Sequence, residues 1–227
     1  MHDCLILACD YTVGTRAIKS KIQNTIKLVK DHICAIKINF HLLLSINPSE
    51  IIAINSAAHR FGVTCIADIK LNDIGNTNTV ALDCLEKMGF DAVIANPIMG
   101  KKALATLTLQ AHRRHMGVIS LCHMSAPEAK EAYETPVKGN KQLYELFLNW
   151  AAYAKVDGII VGATYPKIIS NCKKKFPRVA IYSPGVGVQG GDPQKALKSG
   201  TKYIITGRSI INSSNPVKKA KIILNRG

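Results

Sequence analysis

The segment TCIADIKLNDIGNTNT, residues 64–79, opens as a buried strand and then places Asp68, Lys70 and Asp73 within six positions. Carboxylates around an ammonium keep it protonated and fix its position. Such a cation can stabilise negative charge developing on a bound molecule and then donate a proton to it. The bland alternative is a salt bridge at a strand end, worth little in stability.

The elements that must position these groups alternate along the chain. Short apolar, often β-branched runs predict strands at 4–9, 33–39, 63–69, 91–95, 117–121, 157–161, 179–183 and 202–206. Between them lie helix-length segments such as TRAIKSKIQNTIKLVKD, PSEIIAINSAAHRFG and NPVKKAKIILNR. Pro48-Ser49-Glu50 and Asn215-Pro216 read as helix starts, and Gly62 and Gly89 as helix stops. Eight such units without a low-complexity linker predict one α/β domain over residues 1–227, a (β/α)8 TIM barrel. An open doubly wound sheet is the fallback, but DYTVGT after the first strand is no dinucleotide fingerprint.

Barrel enzymes carry their chemistry at the C-terminal ends of the strands. Alternation along a strand puts Ile66, Asp68 and Lys70 on one face, with Ile6, Ala8 and Asp10 on one face of strand 1 and Ala35 and Lys37 on one face of strand 2. Asp10, Lys37, Asp68 and Lys70 therefore converge on one rim, and a cluster drawn from three strands favours function over surface pairing.

Across the mouth, SPGVGVQGGDP (183–193) follows strand 7 and ITGRSI follows strand 8. Glycines 185, 187, 190 and 191 allow a sharply bent backbone that can turn N–H groups toward an anion. Gly207 and Arg208 precede a helix start, and the loops after strands 7 and 8 are the recurrent phosphate seat of this architecture. A guanidinium at 208 can grip phosphate oxygens in pairs.

The bulk composition narrows the classes. At 47% hydrophobic residues the chain can bury a full core, so disorder is excluded. No apolar run reaches the roughly 18 residues that cross a bilayer, and MHDCLILACD lacks the basic start of a signal peptide. Seven scattered cysteines, with no Cys-x-x-Cys pair, predict reduced thiols in a cytoplasm and no metal site. The net charge of +15 admits nucleic acid or an anionic small molecule as partner. Its basic groups are dispersed and not interleaved with the 6% of aromatics, which favours a basic surface over a nucleic-acid site.

Taken with IADIKLNDIGNTN, five further stretches carry a resemblance: ILACD, KIN, MSAP, SPGVGVQGGDP and TGRSI. In this order, from residue 5 to about 216, they resemble the orotidine 5′-phosphate decarboxylase family, in its short microbial form. The resemblance implies a cofactor-free decarboxylation of orotidine 5′-monophosphate to UMP. Lys70 would be the general acid that protonates C6, with Asp68 beside the substrate carboxylate in a charge network with Lys37. Asp73 and Thr77 would cross a homodimer interface into the partner's site. Asp10 and Lys37 would bind ribose hydroxyls, Ser125 the pyrimidine, and Gln189, Gly207 and Arg208 the phosphate.

Asn39 departs from the pattern, standing where many relatives carry Gly, and strand 4 ends in ANPIMG, where some relatives show a His and other branches look closer to this chain. The nearest rivals share the Asp-x-Lys-x-x-Asp signature: magnesium-dependent 3-keto-L-gulonate 6-phosphate decarboxylases and hexulose phosphate synthases. They look different at strand 2, where a Glu supplies a metal ligand, whereas this chain has Lys37. A basic nucleic-acid-binding barrel without activity is the alternative from another class. It is disfavoured because every acid–base position is present.

Overall fold

The structure, a computed structural model, describes residues 4–12 and 14–224. Eight parallel strands close a barrel: β1 (Cys4–Ala8), β2 (Ile33–Asn39), β3 (Thr64–Leu71), β4 (Ala92–Ala95), β5 (Gly117–His123), β8 (Gly158–Val161), β9 (Ile181–Ser183) and β10 (Tyr203–Thr206). β10 pairs back onto β1 and completes the ring. A two-stranded antiparallel hairpin, β6 (Pro136–Val137) and β7 (Lys141–Gln142), lies between β5 and β8 in sequence and outside the barrel.

Helices α1 (Ile18–Val29), α3 (Pro48–His59), α4 (Gly75–Lys87), α5 (Lys101–His112), α7 (Leu143–Ala154), α8 (Pro166–Lys175), α9 (Pro193–Lys198) and α11 (Pro216–Ile223) follow the strands. Short helices α2 (Phe40–Ser45), α6 (Ala129–Tyr133) and α10 (Arg208–Ile211) lie in the connections. Each predicted strand is present within about two residues at either end. The hairpin and the short helices were not predicted, because a few residues carry no readable periodicity.

Strands covered on both sides read as continuous apolar runs, which is why ICAIKIN and DAVIA lacked polar alternation. α1 buries Ile22, Ile26 and Val29 against this cylinder, each burial contributing about 1.5–3 kcal/mol. Asn47 and Asn215 cap α3 and α11 by accepting from Ser49 N and Lys218 N, satisfying orphan amides at each helix start.

Two units are locked at the N-terminal face by the same device. Asp91, just before β4, accepts from Cys65 N at 2.6 Å and from His59 Nε2 at 2.9 Å. Asp157, just before β8, accepts from Val118 N at 2.7 Å and from His112 Nε2 at 2.9 Å. HRFGVTC and HRRHMGV place each histidine six residues before the strand amide that its aspartate also holds. His59, Cys65 and Asp91 have metal-ligating atoms within 4.8 Å of one another. Val118 occupies the station of Cys65 in the second clamp, so the histidine–aspartate geometry needs no metal to explain it.

Cysteines 9, 65, 84, 122 and 172 are free thiols. Cys34 is disulfide-bonded, which corrects the expectation of seven reduced thiols. Among the described residues no helix is long and apolar enough to cross a membrane.

Candidate active site

At the C-terminal mouth, Lys37 Nζ lies 2.7 Å from Asp68 Oδ2, and Lys70 Nζ lies 2.9 Å from Asp68 Oδ1. Lys37 and Asp68 are 5% and 8% exposed, so this pair is desolvated and its geometry matters. Burial pushes the Asp68 carboxyl up, but the Lys37 and Lys70 charges and their hydrogen bonds outweigh it and hold the group below its ordinary range.

Lys70 does not stand in a regular stretch of strand. Ala67 pairs with Val93 but Leu71 with Ala95, so β3 accommodates two extra residues there. Lys70 stands in this bulge at φ 47°, in the left-handed region. For a residue with a Cβ that costs about 1–2 kcal/mol, and bulges of this kind re-aim side chains beside active sites. The expectation that period two alone places Lys70 is thereby corrected.

Eight of the anticipated residues, Asp10, Lys37, Asp68, Lys70, Ser125, Gln189, Gly207 and Arg208, line one cavity of about 300 Å³. Ile94, Leu121, Ile160 and Ile205 give it an apolar floor. Three cations and two carboxylates line it, a balance suited to an anionic ligand. Gly207 is required by crowding: a Cβ there would stand 2.5 Å from Asp10 Oδ2 and 2.6 Å from the Ala8 carbonyl oxygen.

Asp73 and Thr77 do not line this cavity. Both are exposed at the start of α4, and Asp73 Oδ1 accepts from Ile74 N at 2.7 Å.

The glycine loop also differs from expectation. Gly187 N donates to the Gly191 carbonyl at 3.3 Å, Gly190 N to Gly187 at 2.8 Å, and Gly191 N to Gly185 at 2.9 Å. These three amides close the loop on itself. Gln189, Arg208 and Ser209 bring side-chain donors to that side of the cavity. Glycine is needed at 185 for contact, since a Cβ would lie 2.6 Å from Ser125 Cβ.

The Ser125 loop is held by side chains the sequence did not single out. His123 Nδ1 donates to the Met124 carbonyl at 2.8 Å, Thr164 Oγ1 to Ser125 at 2.9 Å, and Tyr165 Oη to Ala126 at 2.9 Å. Three consecutive carbonyls are thus fixed. Burial holds the His123 imidazole below its ordinary range, against the opposing pull of the Met124 carbonyl and Glu134.

Asn39 was also missed as a site residue. It accepts from Lys37 Nζ and donates from Nδ2 to Asp10 Oδ1. Its position two residues after Lys37 in β2 was the available signal.

The sequence profile of the orotidine 5′-phosphate decarboxylase / HUMPS family matches residues 3–223. The chain belongs to this family. Among its orotidine 5′-phosphate decarboxylase relatives, that of Pyrococcus horikoshii is 34% identical over 96% of both chains. That of Thermococcus kodakarensis is 33% identical over 96% of this chain and 93% of its own. The crystal structure of orotidine 5′-monophosphate decarboxylase from Methanocaldococcus jannaschii, complexed with the inhibitor BMP, superimposes with a TM-score of 0.83. It is 25% identical over 100% of this chain and 98% of its own. The Pyrococcus horikoshii structure gives 0.78 at 30% identity, covering 98% of each chain.

Proposed function

We propose that the protein decarboxylates orotidine 5′-monophosphate to UMP and CO₂ without a cofactor, as one barrel domain over residues 1–227. The observation that carries this reading is Asp68 hydrogen-bonded on both sides by the Lys37 and Lys70 ammonium groups, across the mouth from Arg208. The bond between C6 and the carboxylate breaks, CO₂ leaves, and the electron pair stays on the ring carbon. Lys70 Nζ stabilises that charge and then gives C6 its proton. Asp68 lies beside the departing carboxylate and Ser125 binds the pyrimidine. Asp10 and Lys37 take the ribose hydroxyls, and Gln189, Gly207 and Arg208 the phosphate. Phosphate binding energy, remote from C6, lowers the barrier through closure of the 184–192 loop.

Asp73 and Thr77 complete a partner's site in a homodimer. Support comes from the exposed apolar side chains Phe40, Leu44, Ile74 and Ile98, which follow the adjacent strands β2, β3 and β4 at the mouth. Burying such a patch against a second copy is favourable. Lys70→Ala and Asp73→Ala chains, each inactive alone, are then expected to regain activity when mixed.

A cytoplasmic location belongs to the same proposal, with full activity expected in reductant. The decisive assay is the loss of orotidylate absorbance with a chelator present. Undiminished turnover supports the proposal, and loss on chelation returns the magnesium-dependent reading. That rival fits poorly with Lys37 bonded to Asp68, because an ammonium occupies the ground a divalent cation would need.

A further inference from the structure

We propose that Asn39 is a positioning residue that sets the spacing of Asp10 and Lys37 and so makes the site selective for an intact ribose diol. The proposal rests on the assignment of Asp10 and Lys37 to the ribose.

The two side chains come from neighbouring strands in register: Ala8 of β1 pairs with Lys37 of β2, and Asn39 pairs with Asp68 of β3. Asn39 therefore shares the inward face with Lys37, beside Asp10, which lies two residues beyond Ala8. Its amide orientation is fixed by its neighbours. An ionised carboxylate only accepts and an ammonium only donates, so Nδ2 must face Asp10 and Oδ1 must face Lys37.

The consequence is a count of what remains free. Lys37 has three N–H bonds; one goes to Asp68 and one to Asn39, which leaves one for a ligand. Asp10 accepts from Asn39 at Oδ1, and its remaining lone pairs, both of those on Oδ2 among them, can accept from a ligand. A donor on Lys37 and an acceptor on Asp10, linked by a single amide, thus remain on the cavity that both residues line. That is the complement of two adjacent hydroxyls, one accepting and one donating. Without the amide, Asp10 and Lys37 are free to pair directly, and each would then be lost to the ligand.

The test compares orotidine 5′-monophosphate with its 2′-deoxy analogue on the parent, Asn39→Ala, Asn39→Asp and Asp10→Ala. The parent is expected to prefer the ribonucleotide. Asn39→Ala is expected to lower kcat/KM for the ribonucleotide by about 10- to 100-fold, the range for hydrogen bonds to charged groups. The 2′-deoxy substrate should lose far less, so the preference shrinks. Asn39→Asp keeps the shape but sets a carboxylate against Asp10. It should lose the preference at least as completely, and it keeps the idea testable if truncation unfolds the chain.

Equal losses on both substrates, with Asp10→Ala abolishing the preference, would overturn the role of Asn39 alone. A preference that survives Asp10→Ala would instead overturn the ribose assignment, and this proposal with it.

Discussion

Lys70 Nζ sits 2.9 Å from a carboxylate oxygen of Asp68, a residue only two positions earlier in the same strand. In a regular strand the Cβ atoms of such a pair stand about 6–7 Å apart, a gap that a lysine side chain can span. Lys70 makes this contact from within a bulge, with its backbone in the left-handed region. Strain of this kind persists where surrounding structure enforces it, and here the neighbouring pairing of Leu71 with Ala95 resumes the sheet at once.

Replacing Lys70 therefore separates chemistry from folding. Lys70→Ala and Lys70→Gly should both lose turnover by about 10³-fold or more. Lys70→Gly should nevertheless be more stable than Lys70→Ala by about 1 kcal/mol, because glycine adopts φ 47° without a Cβ penalty. Thermal melts of the two variants check the order, and equal melting points would remove the strain from the account.

Asp68 governs both stability and its pH dependence. Asp68→Asn leaves the buried Lys37 ammonium without its counter-charge and should cost about 3–5 kcal/mol in denaturant unfolding. The native carboxyl lies below its ordinary value of 3.8, so the unfolded chain binds the proton more readily. The stabilisation is present above that unfolded value and is lost as pH falls through the lower folded one. The parent should therefore lose stability below about pH 4 through this group, and Asp68→Asn should lack that segment of the curve.

The clamps at the opposite face offer a control. Asp157→Ala strands the Val118 amide and the His112 ring together, at an expected cost of about 1–3 kcal/mol. Turnover at saturating substrate should stay near that of the parent, because Asp157 lies at the N-terminal end of β8, away from the mouth. A large fall in kcat with an unchanged melting point would contradict this division between the two faces.

Apolar runs separated by helix-length segments determined eight strands and their closure, because burial on both faces leaves that pattern in any parallel barrel. Residue types at strand ends likewise determined which groups gather at the mouth: Asp10, Lys37 and Asp68 follow from alternation within single strands. Only the tertiary structure decided the bulge in which Lys70 stands, the amide of Asn39 between Asp10 and Lys37, and the inward closure of the glycine loop. It alone set Asp73 and Thr77 outside the cavity and bound Cys34 in a disulfide. The bulge and the Asp10–Asn39 contact depend on register between strands far apart in sequence, and the glycine loop on backbone conformations within 185–191; hydrophobic periodicity carries no information about which partner a side chain or an amide will meet.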